Sequence, residues 1–243
     1  MTGALLGMNI TGRDGKTLDK HWEAGPKTYL GLQMAGFPNL FSVTGPGSPS
    51  VLSSMITSIE QHVEFIAGAI GHMLETGKEV METTEEHEDE WVAHCNELKE
   101  KFPFSYTPAP DGKLKTQSVI EALYHGLKPV QEKLVVSTGV GNHQMMACQF
   151  IRWTEPRSIV TSGSLGTMGF GLPSAIGAQV ANPDKTVLLV DGDGSFNMTL
   201  NDLGTVKEHQ LPIKIAIMND HRQQMVHVWQ RLFFDNRLMA TDN

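Results

Sequence analysis

Two acidic residues follow two predicted strands at positions where they could bind a metal ion. Asp193 lies in Gly192-Asp193-Gly194-Ser195, which is separated from the apolar run 187–190 by one residue, and Asp220 follows the predicted strand 213–218. If both strands belong to one parallel sheet, a right-handed crossover brings their carboxyl ends to the same edge. Magnesium is typically bound by one or two carboxylates together with water and substrate phosphates. The pattern therefore predicts a magnesium–diphosphate site, although Gly-Asp-Gly taken alone is more often only a tight turn.

Two glycine-rich loops precede this stretch and could bind the same ligand. In 139–143 (Gly-Val-Gly-Asn-His) the backbone amides, the Asn142 amide and the His143 ring can donate to a phosphate at the start of a helix. In 163–171 the glycines permit close approach of the backbone, and Pro173 favours the first turn of the following helix. His143 by itself could equally be an ordinary surface residue.

The second half of the sequence alternates helical and strand patterns. The run 187–190 is apolar throughout and too short for a typical helix, which indicates a strand buried on both faces. The fold class predicted for this half is α/β, a doubly wound parallel sheet with helices on both faces. The predicted elements are a helix at 116–127, a strand at 134–137, a helix after residue 143, a strand at 158–161, a helix at 173–180, a strand at 187–190, a polar helix at 199–209 and a strand at 213–218.

The first half predicts a small α+β fragment. A hairpin is expected at 8–18, short strands at 29–32 and 39–43, an amphipathic helix from Ile56 to Thr76 and an acidic helix at about 84–101. A stretch rich in Pro, Ser, Asp and Gly then precedes the second half. The predicted organisation is a fragment at 1–98, a linker at 99–115 and a domain at 116–243.

Composition restricts the classes of partner. The net charge is −8, and an acidic run at 82–97 argues against binding to nucleic acid or to anionic membranes. Two cysteines give no disulfide framework, so a reducing compartment is expected. No apolar stretch approaches the roughly 18 residues of a membrane span, and no targeting signal is visible. We expect a soluble intracellular protein, in the cytoplasm or in an organelle.

The second half resembles thiamine diphosphate enzymes, and specifically acetolactate (acetohydroxyacid) synthase. The resemblance covers about 99–243 and is carried by GVGNHQMMACQF, SGSLGTMGFGLPSAIGAQVANPD, GDGSF and QQMVHVW. It implies a thiamine diphosphate-binding fold in which Gly166 and Met168 contact the aminopyrimidine. Residues implied to bind the cofactor are Asn142, His143, Gly166, Met168, Asp193, Gly194, Ser195 and Met225, with Val226 and Trp229 lining the substrate channel.

The resemblance also implies the metal ligands. Asp193 and Asp220 would supply side-chain oxygens and Arg222 its backbone carbonyl. Three positions depart from the family pattern: Asp220 stands where Asn is usual, Asn142 where Gln is more frequent, and Gln224 where Gly is common. The first two keep similar chemistry, and the third puts the local loop conformation in doubt.

The activity implied by the resemblance joins two 2-keto acids. Pyruvate would be decarboxylated on the cofactor and its two-carbon unit added to a second 2-keto acid, giving 2-acetolactate and CO2 in branched-chain amino acid biosynthesis. Family members use a glutamate from a separate domain of a neighbouring subunit to activate the cofactor, and no such domain is recognised in this sequence. The expectation is a chain that binds cofactor and needs another synthase subunit for turnover, with its catalytic residue unassigned.

The first part of the chain resembles a different family. Residues 1–96, including WEAGPKTYLGLQMAGFPNLFSVTGPGSPSVL, are similar to the late segment of Baeyer–Villiger monooxygenases, and the chain looks like a fusion of two enzyme fragments. The resemblance implies that Leu52 and Met55 line a pocket, but ordinary core packing is the favoured interpretation. No GxGxxG fingerprint is present, so FAD and NADP are expected only if the chain is a monooxygenase fragment. A non-catalytic interaction module is a further alternative.

Overall fold

A computed structural model describes residues 2–48, 55–163 and 165–242. The chain divides into two compact units, Met1–Pro103 and Phe104–Asn243, which are described separately below. Leu52 lies outside the described residues, as does the side chain of Met55, so their predicted place in a pocket stays a prediction. The predicted division at 98 and 115 likewise stays a prediction.

The second unit is built on a four-stranded parallel sheet. Its strands are β1 (Leu134–Thr138), β2 (Ile159–Val160), β3 (Thr186–Gly192) and β4 (Lys214–Met218), in the order β2-β1-β3-β4. The predicted interior position of the 187–190 strand is confirmed, because β3 pairs with β1 on one side and with β4 on the other. Because all three pairings are parallel, the carboxyl ends of all four strands lie at one edge of the sheet.

Helices cover both faces of this sheet. They are α5 (Thr116–Leu127), α6 (Asn142–Phe150), α7 (Gly171–Ala181), α8 (Asp193–Asn197), α9 (Leu203–Glu208) and α10 (Gln224–Phe233). Successive strand residues point to opposite faces, so β3 contributes to two cores. Leu188 and Val190 pack with residues of α5 and α6, whereas Val187 and Leu189 pack with residues of α7 and α9. The predicted doubly wound α/β class is confirmed.

Several element boundaries in this unit differ from the predicted ones. The predicted turn at 192–195 is wrong, because the chain enters the short helix α8 at Asp193. The predicted polar helix at 199–209 is wrong in extent, because Leu200–Asp202 is a separate 3₁₀ turn and only Leu203–Glu208 is α-helical. Helix α10 was not predicted.

The first unit is mainly helical. Its helices are α1 (Thr2–Leu6), α2 (Leu18–His21), α3 (Met55–Thr76) and α4 (Glu85–Lys101), with a 3₁₀ turn at Arg13–Gly15. The predicted strands at 29–32 and 39–43 are wrong, because in the described residues this region forms only isolated antiparallel bridges. Leu30, Gly31 and Asn39 have positive φ angles, which interrupt an extended conformation. The hairpin expected at 8–18 is reduced to one bridge, Thr11 to Thr17.

The predicted amphipathic helix is present as α3, and its apolar side is accessible. Ile56, Val63 and Ile70 are exposed, whereas the buried positions on the helix are the polar Ser58 and His62. The His62 Nδ1 atom accepts a hydrogen bond of 2.9 Å from the Thr44 N–H. The small core of this unit is formed elsewhere, by Leu18, Trp22, Met34 and Phe37.

A fully buried carboxylate connects α2 and α4. The side chain of Glu88 is inaccessible to solvent, and its Oε1 atom lies 3.0 Å from Nε2 of His21, itself almost fully buried. Oε2 lies 3.2 Å from Nζ of Lys27, and the Ala35 N–H donates to Oε1 at 3.3 Å. Through these contacts the segments that contain His21, Lys27 and Ala35 are all joined to the buried carboxylate of Glu88.

We expect Glu88→Ala to lower the free energy of unfolding of the first unit by about 3–5 kcal/mol, because removing one partner leaves the others uncompensated. Urea denaturation followed by tryptophan fluorescence measures the change, since Trp22 and Trp91 lie in this unit. Glu90→Ala on the same helix is the control. Glu90 is exposed and should change the free energy by less than about 0.5 kcal/mol. Equal effects of the two substitutions would contradict the role of Glu88.

In the described part of the chain, no helix has the length and apolar content needed to cross a membrane.

Candidate functional site at the carboxyl edge of the sheet

One cavity lies where β1, β3 and β4 end. Its volume is about 550 Å³, and all of its lining residues belong to the second unit. The loops after Thr138, Gly192 and Met218 all reach it, as the parallel topology requires. A volume of this size is in the range of small-molecule sites.

Three helices of nine or more residues begin at this cavity. They are α5, α6 and α10, and the cavity is lined by Thr116, Asn142 and Gln224, the first residue of each. None of the three has a side-chain cap. The first N–H groups of a helix have no partner within it and carry partial positive charge, so uncapped helix starts favour an anionic ligand.

Two carboxylates lie at the same cavity. Asp193 begins α8 and Asp220 follows β4, and both residues contribute to the lining. Partial desolvation, followed by the negative charge of Asp193, raises the pKa of the Asp220 carboxyl above its ordinary value. The Arg222 N–H donates to Asp220 Oδ1 at 3.2 Å and opposes this shift without cancelling it. Two neighbouring carboxylates that repel one another favour a bound cation.

A buried pair lies beneath the two carboxylates. The Asp191 side chain, near the end of β3, is inaccessible to solvent and accepts from the Gly192 N–H at 2.8 Å. Its Oδ1 atom is 3.3 Å from Nε2 of His143. Among the described residues, neither His143 Nε2 nor Asp191 Oδ2 has a hydrogen-bond partner of good geometry. Unsatisfied buried polar atoms of this kind are found where a site is completed by a ligand or water.

Ser195, in α8, connects the two glycine-rich loops. Its buried Oγ atom accepts from the Gly169 N–H at 3.1 Å and from the Val140 N–H at 3.4 Å. Gly139 packs so closely on the Asp191 carboxylate that a Cβ atom there would overlap it. The loops therefore occupy fixed positions relative to one another, and glycine at 139 is a steric requirement.

Hydrogen bonds also fix the loop that carries Met168. Thr138 and Thr161, at the ends of β1 and β2, are joined by a hydroxyl–hydroxyl hydrogen bond of 2.6 Å. Gln144 of α6 donates from Nε2 to Thr161 Oγ1 at 2.8 Å and to the Ser162 carbonyl at 3.1 Å. Gly166, on this loop, has a φ angle of +65°, which favours glycine, and it lines the cavity together with Met168.

The structure brings together all but one of the residues predicted for the thiamine diphosphate site. Those that line the cavity are Asn142, His143, Gly166, Met168, Asp193, Gly194, Ser195, Asp220, Arg222, Met225 and Val226. Trp229 is not among the lining residues; its ring stacks on Phe233 with centroids 4.8 Å apart. The individual roles of these residues remain predictions. Arg222 bonds through its side-chain Nε to Asp242 at 3.1 Å, which leaves the predicted role of its backbone carbonyl untested.

Sequence reasoning missed two parts of the site. The segment 114–117, at the start of α5, lines the cavity but was read as the junction of a linker and a helix. Asp191 was read as the boundary of a strand, although an acid that directly follows an apolar run, two residues before Asp193, is a signal of a structural charge; in the structure it is fully buried.

The fold and the site together define a class of protein. A parallel α/β domain has at its carboxyl edge a cavity with uncapped helix starts and two carboxylates, as expected for a domain that binds a metal and a phosphorylated ligand. Residues 139–243 match the family described as "Thiamine pyrophosphate enzyme, C-terminal TPP binding domain". This part of the chain is similar to the thiamine diphosphate-binding domain of acetolactate synthases.

Two fungal relatives illustrate the similarity. "Acetolactate synthase, mitochondrial" from Schizosaccharomyces pombe is 48% identical over 153 residues, 63% of this chain and 23% of the relative. "Acetolactate synthase catalytic subunit, mitochondrial" from Saccharomyces cerevisiae is 46% identical over 153 residues, 63% of this chain and 22% of the relative. The chain thus spans about a quarter of the length of the curated relatives it matches.

A solved structure belongs to the second resemblance. "Oxidized steroid monooxygenase bound to NADP" is 48% identical over 38% of this chain and 18% of that chain, with a TM-score of 0.37. The resemblance of the second half of the chain to acetolactate synthases is confirmed.

We expect Gly139→Ala to lower the free energy of unfolding of the second unit by about 1–3 kcal/mol, because its methyl group must displace the Asp191 carboxylate. Chemical denaturation measures the effect. Gly177→Ala is the matched control, since Gly177 lies within α7 and a Cβ there meets no atom within 4 Å. That substitution should stabilise the unit by about 0.5–1 kcal/mol. A stabilising effect of Gly139→Ala would show that the loop is not tightly packed.

Proposed function

We propose that the cavity at the edge of the sheet binds thiamine diphosphate together with Mg²⁺. The observation that carries this proposal is the pair of carboxylates of Asp193 and Asp220, which repel one another. Both residues line a cavity at which three helices also begin. Oxygen ligands of this kind suit a hard divalent cation, and the helix starts suit a diphosphate. The match of residues 139–243 to a TPP-binding domain supports the same ligand.

The residues present fit this group. Asp193 and Asp220 would hold the metal through their side chains, and Arg222 through its backbone carbonyl. Gly194 and Ser195, at the start of α8, and Asn142 and His143, at the start of α6, would contact the diphosphate. Among the described residues, Nε2 of His143 has no hydrogen-bond partner of good geometry, as expected if a bound ligand supplies that partner.

The remaining lining residues would position the rings of the cofactor. Gly166 lets the backbone approach closely, and Met168 offers a flexible apolar side chain that can fill the space between two rings. Met225 and Val226, in the first turn of α10, add apolar surface that excludes water from the cavity. When bound, thiamine diphosphate supplies an electron sink for carbanion chemistry.

We further propose that the substrates are pyruvate and a second 2-keto acid, and that another synthase subunit completes the site. The printed names of the relatives, acetolactate synthase and its catalytic subunit, support this reaction class. The word "mitochondrial" in both names supports an organelle as the place of action. The flavin-dependent and non-catalytic alternatives are not favoured, since the family match falls on the part of the chain that contains the cavity.

Calorimetric titration of thiamine diphosphate into the purified chain tests the proposal. We expect saturable binding that requires Mg²⁺ and that is at least about 30-fold weaker in Asp193→Ala, because a charged ligand of the metal is lost. Asp193→Asn, which keeps one oxygen ligand, should be affected less.

The control for this titration is Asp184→Ala. Asp184 is exposed between α7 and β3 and does not line the cavity, so its removal changes the net charge equally without touching the site. Binding that is independent of Mg²⁺, or equal losses in Asp184→Ala and Asp193→Ala, would overturn the metal assignment. No binding by the unaltered chain would overturn the proposed function itself.

A further inference from the structure

With an anionic ligand bound, the negative charges in the cavity would outnumber the positive ones. Asp193 and Asp220 both line it, and a diphosphate or a carboxylate would add further negative charge. A divalent cation offsets part of this charge. The remaining repulsion favours a further cationic side chain close to the ligand.

Besides His143, two basic residues line the cavity, Arg222 and Lys115, and their side chains differ in their partners. The Arg222 Nε atom donates to Asp242 Oδ1 at 3.1 Å. The half-buried Lys115 makes no side-chain hydrogen bond or ion pair with any residue in the described ranges 2–48, 55–163 and 165–242. Its ammonium group can therefore bind a ligand without losing an existing partner.

The backbone holds Lys115 at the cavity. Lys115 is the N-cap residue of α5, and its carbonyl accepts from the Ser118 hydroxyl at 2.7 Å and from the Val119 N–H at 3.1 Å. Leu114, Thr116 and Gln117 line the cavity beside it. The lysine therefore lies next to an uncapped helix start, where its charge and the helix dipole both favour an anion.

The neighbouring Lys113 provides a contrast within the same segment. Its Nζ atom lies 3.1 Å from Asp111 Oδ2, its side chain is 82% exposed, and it does not line the cavity. Two lysines separated by one residue thus differ in the feature that matters here, which is access to the cavity.

We propose that Lys115 is a ligand-binding residue of this cavity, contacting an oxyanion through its ammonium group. This inference rests on the proposed function. The oxyanion is either the diphosphate of the cofactor or the carboxylate of a 2-keto acid. An ammonium group can donate hydrogen bonds to either anion and attracts both through its positive charge. Lys115→Arg should retain the contact in part, and Lys115→Gln should remove it.

Titration of the purified chain with three probes distinguishes the two sources. The probes are thiamine diphosphate with Mg²⁺, thiamine without phosphates, and oxamate added to the chain already loaded with thiamine diphosphate. If the lysine contacts the diphosphate, Lys115→Gln weakens thiamine diphosphate binding about tenfold, the size expected for one hydrogen bond to a charged group, and leaves thiamine binding unchanged. If it contacts a substrate carboxylate, only oxamate binding weakens.

Lys113→Gln is the control variant in every titration, because it removes the same charge from the same segment. Either selective loss in Lys115→Gln, absent from Lys113→Gln, supports the inference. Equal binding of all three probes by Lys115→Gln and Lys113→Gln would overturn it while leaving the proposed function intact. Failure of the unaltered chain to bind thiamine diphosphate would overturn both.

Discussion

The mutual repulsion of Asp193 and Asp220 is the interaction on which the account of the second unit depends. Two acidic residues at one cavity cost free energy unless a cation lies near them, and the pKa of Asp220 is raised first by partial desolvation and then by the charge of Asp193. The sheet makes the arrangement unavoidable, because β3 and β4 are parallel and end at the same edge. A binding site for a divalent cation is the simplest arrangement that offsets the repulsion.

The surrounding structure holds this pair in place through packing rather than through flexible contacts. The fully buried Asp191 lies between Gly139 and Gly171, positions at which a Cβ atom would overlap its carboxylate. Ser195 joins the loops that contain Val140 and Gly169 by accepting their N–H groups. Because each loop is anchored to another, a change in one glycine would be transmitted to the residues that face the ligand.

Much of the second unit could be predicted from the sequence, because its signals are local and strong. The apolar run at 187–190 predicted a buried strand, and Asp193 beyond it predicted a site at the end of that strand. The first unit was harder to predict, since its backbone is shaped by left-handed residues such as Leu30 and Asn39, which carry no marked sequence signal. The apolar residues of α3 correctly predicted an amphipathic helix, but they did not predict that these side chains are exposed. Whether a helix face is buried depends on the segments that pack against it, which the sequence of the helix does not specify.

Within the site, the sequence identified the residues that follow directly after strands. It did not identify cavity-lining residues that come from other parts of the chain. Lys115 lies far from the glycine-rich motifs along the chain and reaches the cavity only because α5 packs beside α6. Trp229 was assigned to the substrate channel, and this assignment stays a prediction; the residue does not line the cavity, and its ring packs at a tilt against Phe233, one turn further along α10. Such choices between neighbouring helix faces depend on tertiary packing, which periodicity alone does not specify.

A crystal structure of the chain grown with thiamine diphosphate and Mn²⁺, used in place of Mg²⁺, would test the central claim most directly. The account predicts an anomalous difference peak bound by the side chains of Asp193 and Asp220, with the diphosphate between the metal and the starts of α6 and α8. A metal bound elsewhere, or a cofactor that leaves these two carboxylates without a cation, would contradict it.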